Sequence, residues 1–140
     1  MSRADRACGG GRAETARPAL ILFAHGARDP RWAAPLAAVA ERIRQADPGR
    51  SVELAFLEFM TPDLATAARR LADAGAPRID VVPLFLGTGG HLRQDLPPLL
   101  DALRTAHPGV EVRLHPAIGE HEAVLAAVAE ASLGLARLGE

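Results

Sequence analysis

The sequence predicts an α/β domain on a four-stranded parallel sheet, ordered 2-1-3-4, with helices on both faces. Three observations predict it. From Pro18 onward, apolar runs alternate with helical patterns four times. The first and third runs are almost continuously apolar, as strands buried on both faces must be. The fourth, Val110-Glu111-Val112-Arg113-Leu114, alternates with charge and reads as an edge. Placing the first and third strands side by side at the centre satisfies all three and keeps every crossover right-handed.

Each element follows from local chemistry. The first strand is Ala19 to Ala24, followed by a helix with Asp29 as N-cap and Pro30 at its first position. Its stripe is Trp32, Leu36, Val39, Ala40 and Ile43, and Asp47-Pro48-Gly49 ends it. The second strand, Val52 to Leu57, leads to Thr61-Pro62-Asp63, a second cap-then-proline start. The helix beyond it buries Leu64, Ala67, Ala68 and Leu71 and stops at Gly75. The third strand, Ile79 to Leu86, ends in Gly87-Thr88-Gly89-Gly90-His91. A helix entered through Asp95 and Pro97-Pro98 then turns Leu96, Leu99, Leu100 and Leu103 inward. The last helix covers Glu120 to Leu138, with Val124, Val128, Ala131 and Leu135 as its stripe.

The chain of 140 residues suits one domain, read as a flexible tail over residues 1–17 and a single α/β domain over 18–140. All 16 basic residues are arginine, which excludes a Schiff-base lysine and the P-loop lysine together. A net charge of −1 offers no general attraction to nucleic acid or an acidic membrane, and no apolar stretch is long enough to span a bilayer. The lone Cys8 has no internal partner, so a reducing, cytoplasmic setting is expected.

In open parallel sheets, ligands bind beyond the carboxyl ends of the strands where the winding reverses, here between the first and third strands. His25 directly follows the first strand, and His91 lies on the loop after the third. Either histidine alone reads equally well as a loop hydrogen-bonding group. Two imidazoles at one switch point suit a borderline divalent ion such as iron, cobalt or nickel. Gly26 marks a tight turn or a close approach. Gly89 and Gly90 keep their loop small, so that a flat ligand can reach His91. Glu58 follows the second strand between apolar neighbours; partial burial there suits proton transfer, and a solvated carboxylate is the plainer alternative. Phe59 and Met60 either line an apolar cleft or pack against the next helix. Arg28, Arg31 and Arg93 can fork onto carboxylates, or pair locally with Asp29 or Asp95. His107, at a helix end, and His115 and His121, flanking the loop after the fourth strand, are the weaker candidates.

Four segments resemble the CbiX-type sirohydrochlorin chelatases: HGARDP (25–30), AFLEFMTPDL (55–64), VVPLFLGTGGHLRQDLP (81–97) and, more loosely, PAIGEH (116–121). The resemblance implies insertion of cobalt, iron or nickel into sirohydrochlorin or a close relative, toward cobalamin or siroheme. It implies His25 and His91 as metal ligands, the metal being substrate, with no organic cofactor. A single unit, as here, resembles the small form of the family, which implies a homodimer. Ala27 stands where the family pattern usually has serine, which removes one hydroxyl and leaves both histidines. In this reading Glu58 shares in removing the pyrrole protons, while Arg28 and Arg93 take the substrate carboxylates. A metal carrier or sensor without insertion activity would present the same site. A histidine phosphatase is disfavoured because Ala24 precedes His25 where that chemistry needs arginine, and a flavodoxin-type module because the chain has no tyrosine and one tryptophan.

Overall fold

A computed structural model describes residues 17–140, the side chain of His91 excepted; the expected tail, apart from Arg17, lies outside the described residues with Cys8, and Arg17 itself is paired with Asp47 at 2.9 Å. Four strands, β1 (Ala19–Ala24), β2 (Val52–Phe56), β3 (Arg78–Pro83) and β4 (Glu111–Leu114), form one sheet in the order β2-β1-β3-β4. All three pairings are parallel: Leu22 faces Leu54 on one side and Val82 on the other, and Ile79 faces Val112. The expected strand order therefore holds. β3 ends at Pro83, short of the expected Leu86, because a proline has no N–H to extend the ladder.

The helices are α1 (Ala34–Ala46), α2 (Leu64–Asp73), α3 (Gly90–Ala106) and α4 (Glu122–Arg137). One sheet face packs Ile21, Phe23, Ile79 and Val81 against Leu64, Ala67, Ala68 and Leu71 of α2 and Leu96, Leu100 and Leu103 of α3. The other face has a thinner cover: Leu22 and Val52 meet Ala40 of α1, with Leu20, Leu54, Val82 and Leu84 only partly buried. Arginines tie helix ends to the edge strands. Arg44 donates to the Val52 carbonyl at 2.9 Å, and Arg104 to the Val112 carbonyl at 3.0 and 3.2 Å, occupying acceptors that an edge otherwise leaves to water.

Several starts differ from expectation. Asp29 caps a 3-10 turn (Pro30–Ala33) rather than α1 itself, which begins at Ala34. Trp32 and Val39 of its expected stripe are exposed, and Ala40 alone is fully buried. For α2 the cap is Asp63, not Thr61: its carboxylate accepts from Thr66 N at 2.8 Å. α3 starts at Gly90, so Pro97 and Pro98 lie inside it and His91 is its second residue rather than a loop residue. The Leu92-Leu96-Leu100-Leu103 stripe explains this, since packing of its first turn offsets the hydrogen bonds that two prolines cannot donate. Leu99 is 37% exposed instead of inward. α4 starts at Glu122 after a second 3-10 turn (Ile118–Glu120), and its expected stripe is not buried: every residue from Leu125 to Arg137 is exposed. No helix among the described residues is long and apolar enough to cross a membrane.

Candidate functional site

The carboxyl edge of the sheet gathers four chain segments, each stitched to its neighbour by backbone hydrogen bonds. Leu57 N donates to Ala24 O at 2.9 Å and Glu58 N to His25 O at 3.0 Å, joining the exits of β2 and β1. Leu84 N donates to Phe23 O at 2.7 Å, joining the exits of β3 and β1. His115 N reaches Val81 O at 3.0 Å and Gly119 N reaches Phe85 O at 2.9 Å, which ties the exit of β4 to that of β3. His25, Glu58 and His115 thus stand at one edge, with the backbone of His91 at the head of the helix that follows β3.

Gly26 shows why the His25 loop needs glycine. Its φ is +90°, and an added Cβ would run into the Glu58 carbonyl oxygen. The loop after β3 offers a different kind of space: a Cβ at Gly87, Gly89 or Gly90 would meet no atom within 4 Å, so this rim is open.

Among the side chains, His25 is exposed, and its ring lies 4.3 Å from that of the buried Phe85, which limits its rotation. Arg28 lies over the Phe59 ring at 5.0 Å, a cation–π arrangement. Glu58 is exposed, so the partial burial expected for it does not occur. Arg31 takes the local alternative, paired with Asp29 at 2.8 Å; its hydrogen bonds hold the Asp29 carboxyl below the usual range. Arg93 is exposed and lines a cavity of about 270 Å³ with Thr88, Leu114 and His115. His107 sits where expected, as the C-cap of α3.

His115, one of the weaker candidates, is paired across two strands. Its Nε2 lies 2.8 Å from a carboxylate oxygen of Asp80, which also accepts from Arg78 at 3.0 Å. Burial pushes the Asp80 carboxyl up, but the hydrogen bonds from His115 and Arg78 outweigh it and hold it below the ordinary value. His115 and His121 line a further cavity of about 410 Å³ with Val82, Pro116, Ile118 and Glu122. The available signal was position: His115 follows β4 as His25 follows β1. Among the described residues no group of three or more histidine, cysteine or acidic side chains is arranged to hold a metal. A closed cage is thus not found there.

A family model described as CbiX matches residues 19–133. The Sirohydrochlorin cobaltochelatase of Methanocaldococcus jannaschii is 36% identical over 89 residues, 64% of this chain. The match spans 62% of that relative's length, less than two thirds. A crystal structure of a putative cobalamin (vitamin B12) biosynthesis CbiX protein from Marinobacter aquaeolei VT8 superposes with a TM-score of 0.75 at 32% identity, covering 86% of this chain and 98% of that one. The sirohydrochlorin chelatase SirB from Bacillus subtilis subspecies spizizenii, in complex with cobalt, gives a TM-score of 0.71 at 28% identity, covering 81% of this chain and 49% of SirB.

Proposed function

The chain belongs to the CbiX family, and from that premise we propose that it is a sirohydrochlorin chelatase, inserting cobalt, iron or nickel into the macrocycle for cobalamin or siroheme synthesis. One observation carries the reading: the exits of β1 and β3, neighbours at the reversal of winding, bring His25 and the helix head bearing His91 to the same edge.

In this reading His25 and His91 hold the metal substrate. Two neutral imidazoles bind a borderline divalent ion and leave positions open for the macrocycle's nitrogens, so the ion can depart into the ring. Insertion replaces two pyrrole N–H protons by one divalent ion, and both protons need an acceptor. An unprotonated imidazole or the Glu58 carboxylate accepts them, and the exposure of Glu58 lets it pass a proton on to water. The substrate is flat and rich in carboxylates. The open rim at Gly89 and Gly90 suits a flat approach, and Arg28 and Arg93, both exposed, suit the carboxylates. No organic cofactor enters this chemistry. The protein works as a cytoplasmic homodimer in this reading; the exposed apolar side chains of α4 support the second copy, and the single Cys8 supports the reducing compartment.

The test is a visible-spectrum insertion assay with sirohydrochlorin and cobalt, iron and nickel side by side. His25→Ala and His91→Ala should each lower insertion by at least about 100-fold, beyond the 10–100-fold typical of losing an outer-shell partner of a metal ligand. Full activity in His91→Ala would overturn the ligand assignment. Metal binding without any insertion by the unaltered protein would make it a carrier.

A further inference from the structure

Phe59 is the one non-glycine residue with a positive φ, +65°, among the described residues. For a bulky side chain this is a true outlier, and such strain persists only where the surroundings enforce it. Here they do. Met60 N donates to Glu58 O at 2.8 Å, closing a three-residue turn centred on Phe59. With a positive central φ this is the rarer and strained form of the γ-turn. The turn is in turn clamped: Glu58 N is held by His25 O at 3.0 Å, and Phe56 N is held by Pro62 O at 2.9 Å.

Burial of the ring does not offset this strain, because Phe59 is 58% exposed. Packing against the adjacent helix, one of the two readings open from sequence, therefore does not account for it. The turn instead presents an aromatic face to solvent one residue from Glu58, whose backbone is bonded to that of His25. The Arg28 guanidinium lies 5.0 Å from the ring centroid, which steers an otherwise free side chain toward the same spot. A cation–π contact uses the guanidinium plane and leaves its N–H groups free to donate.

We propose that Phe59 is a substrate-binding residue: its ring stacks on the flat, conjugated substrate and sets Arg28 in place for a peripheral carboxylate. The pairing selects ligands that are both planar and anionic. This rests on the tetrapyrrole reading above and adds to it the residue that orients the macrocycle before metal transfer.

Glycine is the informative substitution, because it adopts φ +65° without strain. Phe59→Gly removes the ring while easing the backbone. Binding of metal-free sirohydrochlorin is titrated by its visible absorbance, and melting temperature and insertion kinetics are measured beside it. Phe59→Gly should weaken binding roughly tenfold, the upper range for one lost aromatic stack. Its KM should rise by a similar factor with kcat little changed, and its melting temperature should match or exceed that of the unaltered protein. Phe59→Trp should restore affinity. Unchanged affinity in Phe59→Gly, or a lost affinity tracking a lowered melting temperature that tryptophan does not rescue, overturns the assignment. If the unaltered protein fails to bind sirohydrochlorin at all, the tetrapyrrole reading falls and takes this inference with it.

Discussion

The two faces of the sheet are built to different standards. Under α2 and α3, side chains from every strand but the outermost residues of β4 interlock with two leucine- and alanine-lined helices, and Phe23, Ile21, Ile79, Val81 and Leu100 are fully buried. Under α1, the buried cluster is no more than Leu22, Ala40 and Val52, and Val82 and Leu84 stay partly open. In a doubly wound fold a second helix would complete that cover. The candidate, α4, finds its substantial contacts in the 3-10 turn before it and leaves Leu125, Val128, Leu133 and Leu135 about half or more exposed. One face therefore holds the fold together, while the other leaves apolar surface exposed.

The largest effect that tests this contrast belongs to the closed face. Leu100→Ala, at a fully buried position, should cost about 2–5 kcal/mol in urea unfolding, the range for deleting a packed leucine. Leu22→Ala on the thin face, though nearly as buried, should fall at the low end, near about 2 kcal/mol, because looser surroundings can collapse into the cavity. Equal losses at the two sites would mean that the faces are packed alike.

The same contrast explains what the sequence made legible. Strand order follows from where charge interrupts the apolar runs, and charge marks an edge wherever the strand lies, so β2-β1-β3-β4 can be read without a structure. The start of α3 cannot. Asp95 with Pro97-Pro98 reads as a helix entrance, and only the packing of Leu92 and Leu96 on the closed face reveals that the helix begins earlier, at Gly90. The histidine at its head is thereby moved from loop to helix. Periodicity likewise shows that α4 has apolar residues but not what covers them. At the site, His25 and Gly26 are legible because strand end and turn are local signals. The pairing of His115 with Asp80 spans 35 residues and appears only once β3 and β4 are side by side. The strain at Phe59 leaves no trace in the sequence, since no residue type there announces a positive φ.

A smaller effect isolates how the closed face is anchored. Asp63 caps α2, so Asp63→Ala should cost about 0.5–2 kcal/mol. The hydrogen bonds from Thr66 hold the Asp63 carboxyl below its ordinary value of 3.8. A depressed folded-state value means that the carboxylate's contribution is complete above the unfolded value and is lost as pH falls through the folded one. The stability gap between the unaltered protein and Asp63→Ala should therefore stay constant from neutral pH to about 5, then narrow as acid is added below 3.8. A gap that narrows already near neutrality would assign the effect to another group.

The smallest effect on the fold should come from the open side, and it is the sharpest discriminator. Val128→Glu with Leu135→Glu places two charges on a helix already in water, so monomer stability should change by no more than about 0.5 kcal/mol per site. Association should respond quite differently. A helix with only Glu122, Glu130 and Arg137 charged along its length has apolar surface on nearly every side, and such a helix is normally buried. Light scattering of the unaltered protein should report two copies, and the double variant should report one, since a carboxylate cannot enter a dry interface unpaired. Unfolding has to be compared at the same low protein concentration, because a dimer's stability depends on it. A loss of 2 kcal/mol or more in the monomer would mean that α4 folds back onto its own sheet over Val82 and Leu84. A dimer that survives both charges would mean that the copies meet elsewhere, with the exposed Val39 of α1 and Trp32 in the turn before it as the next surface to alter.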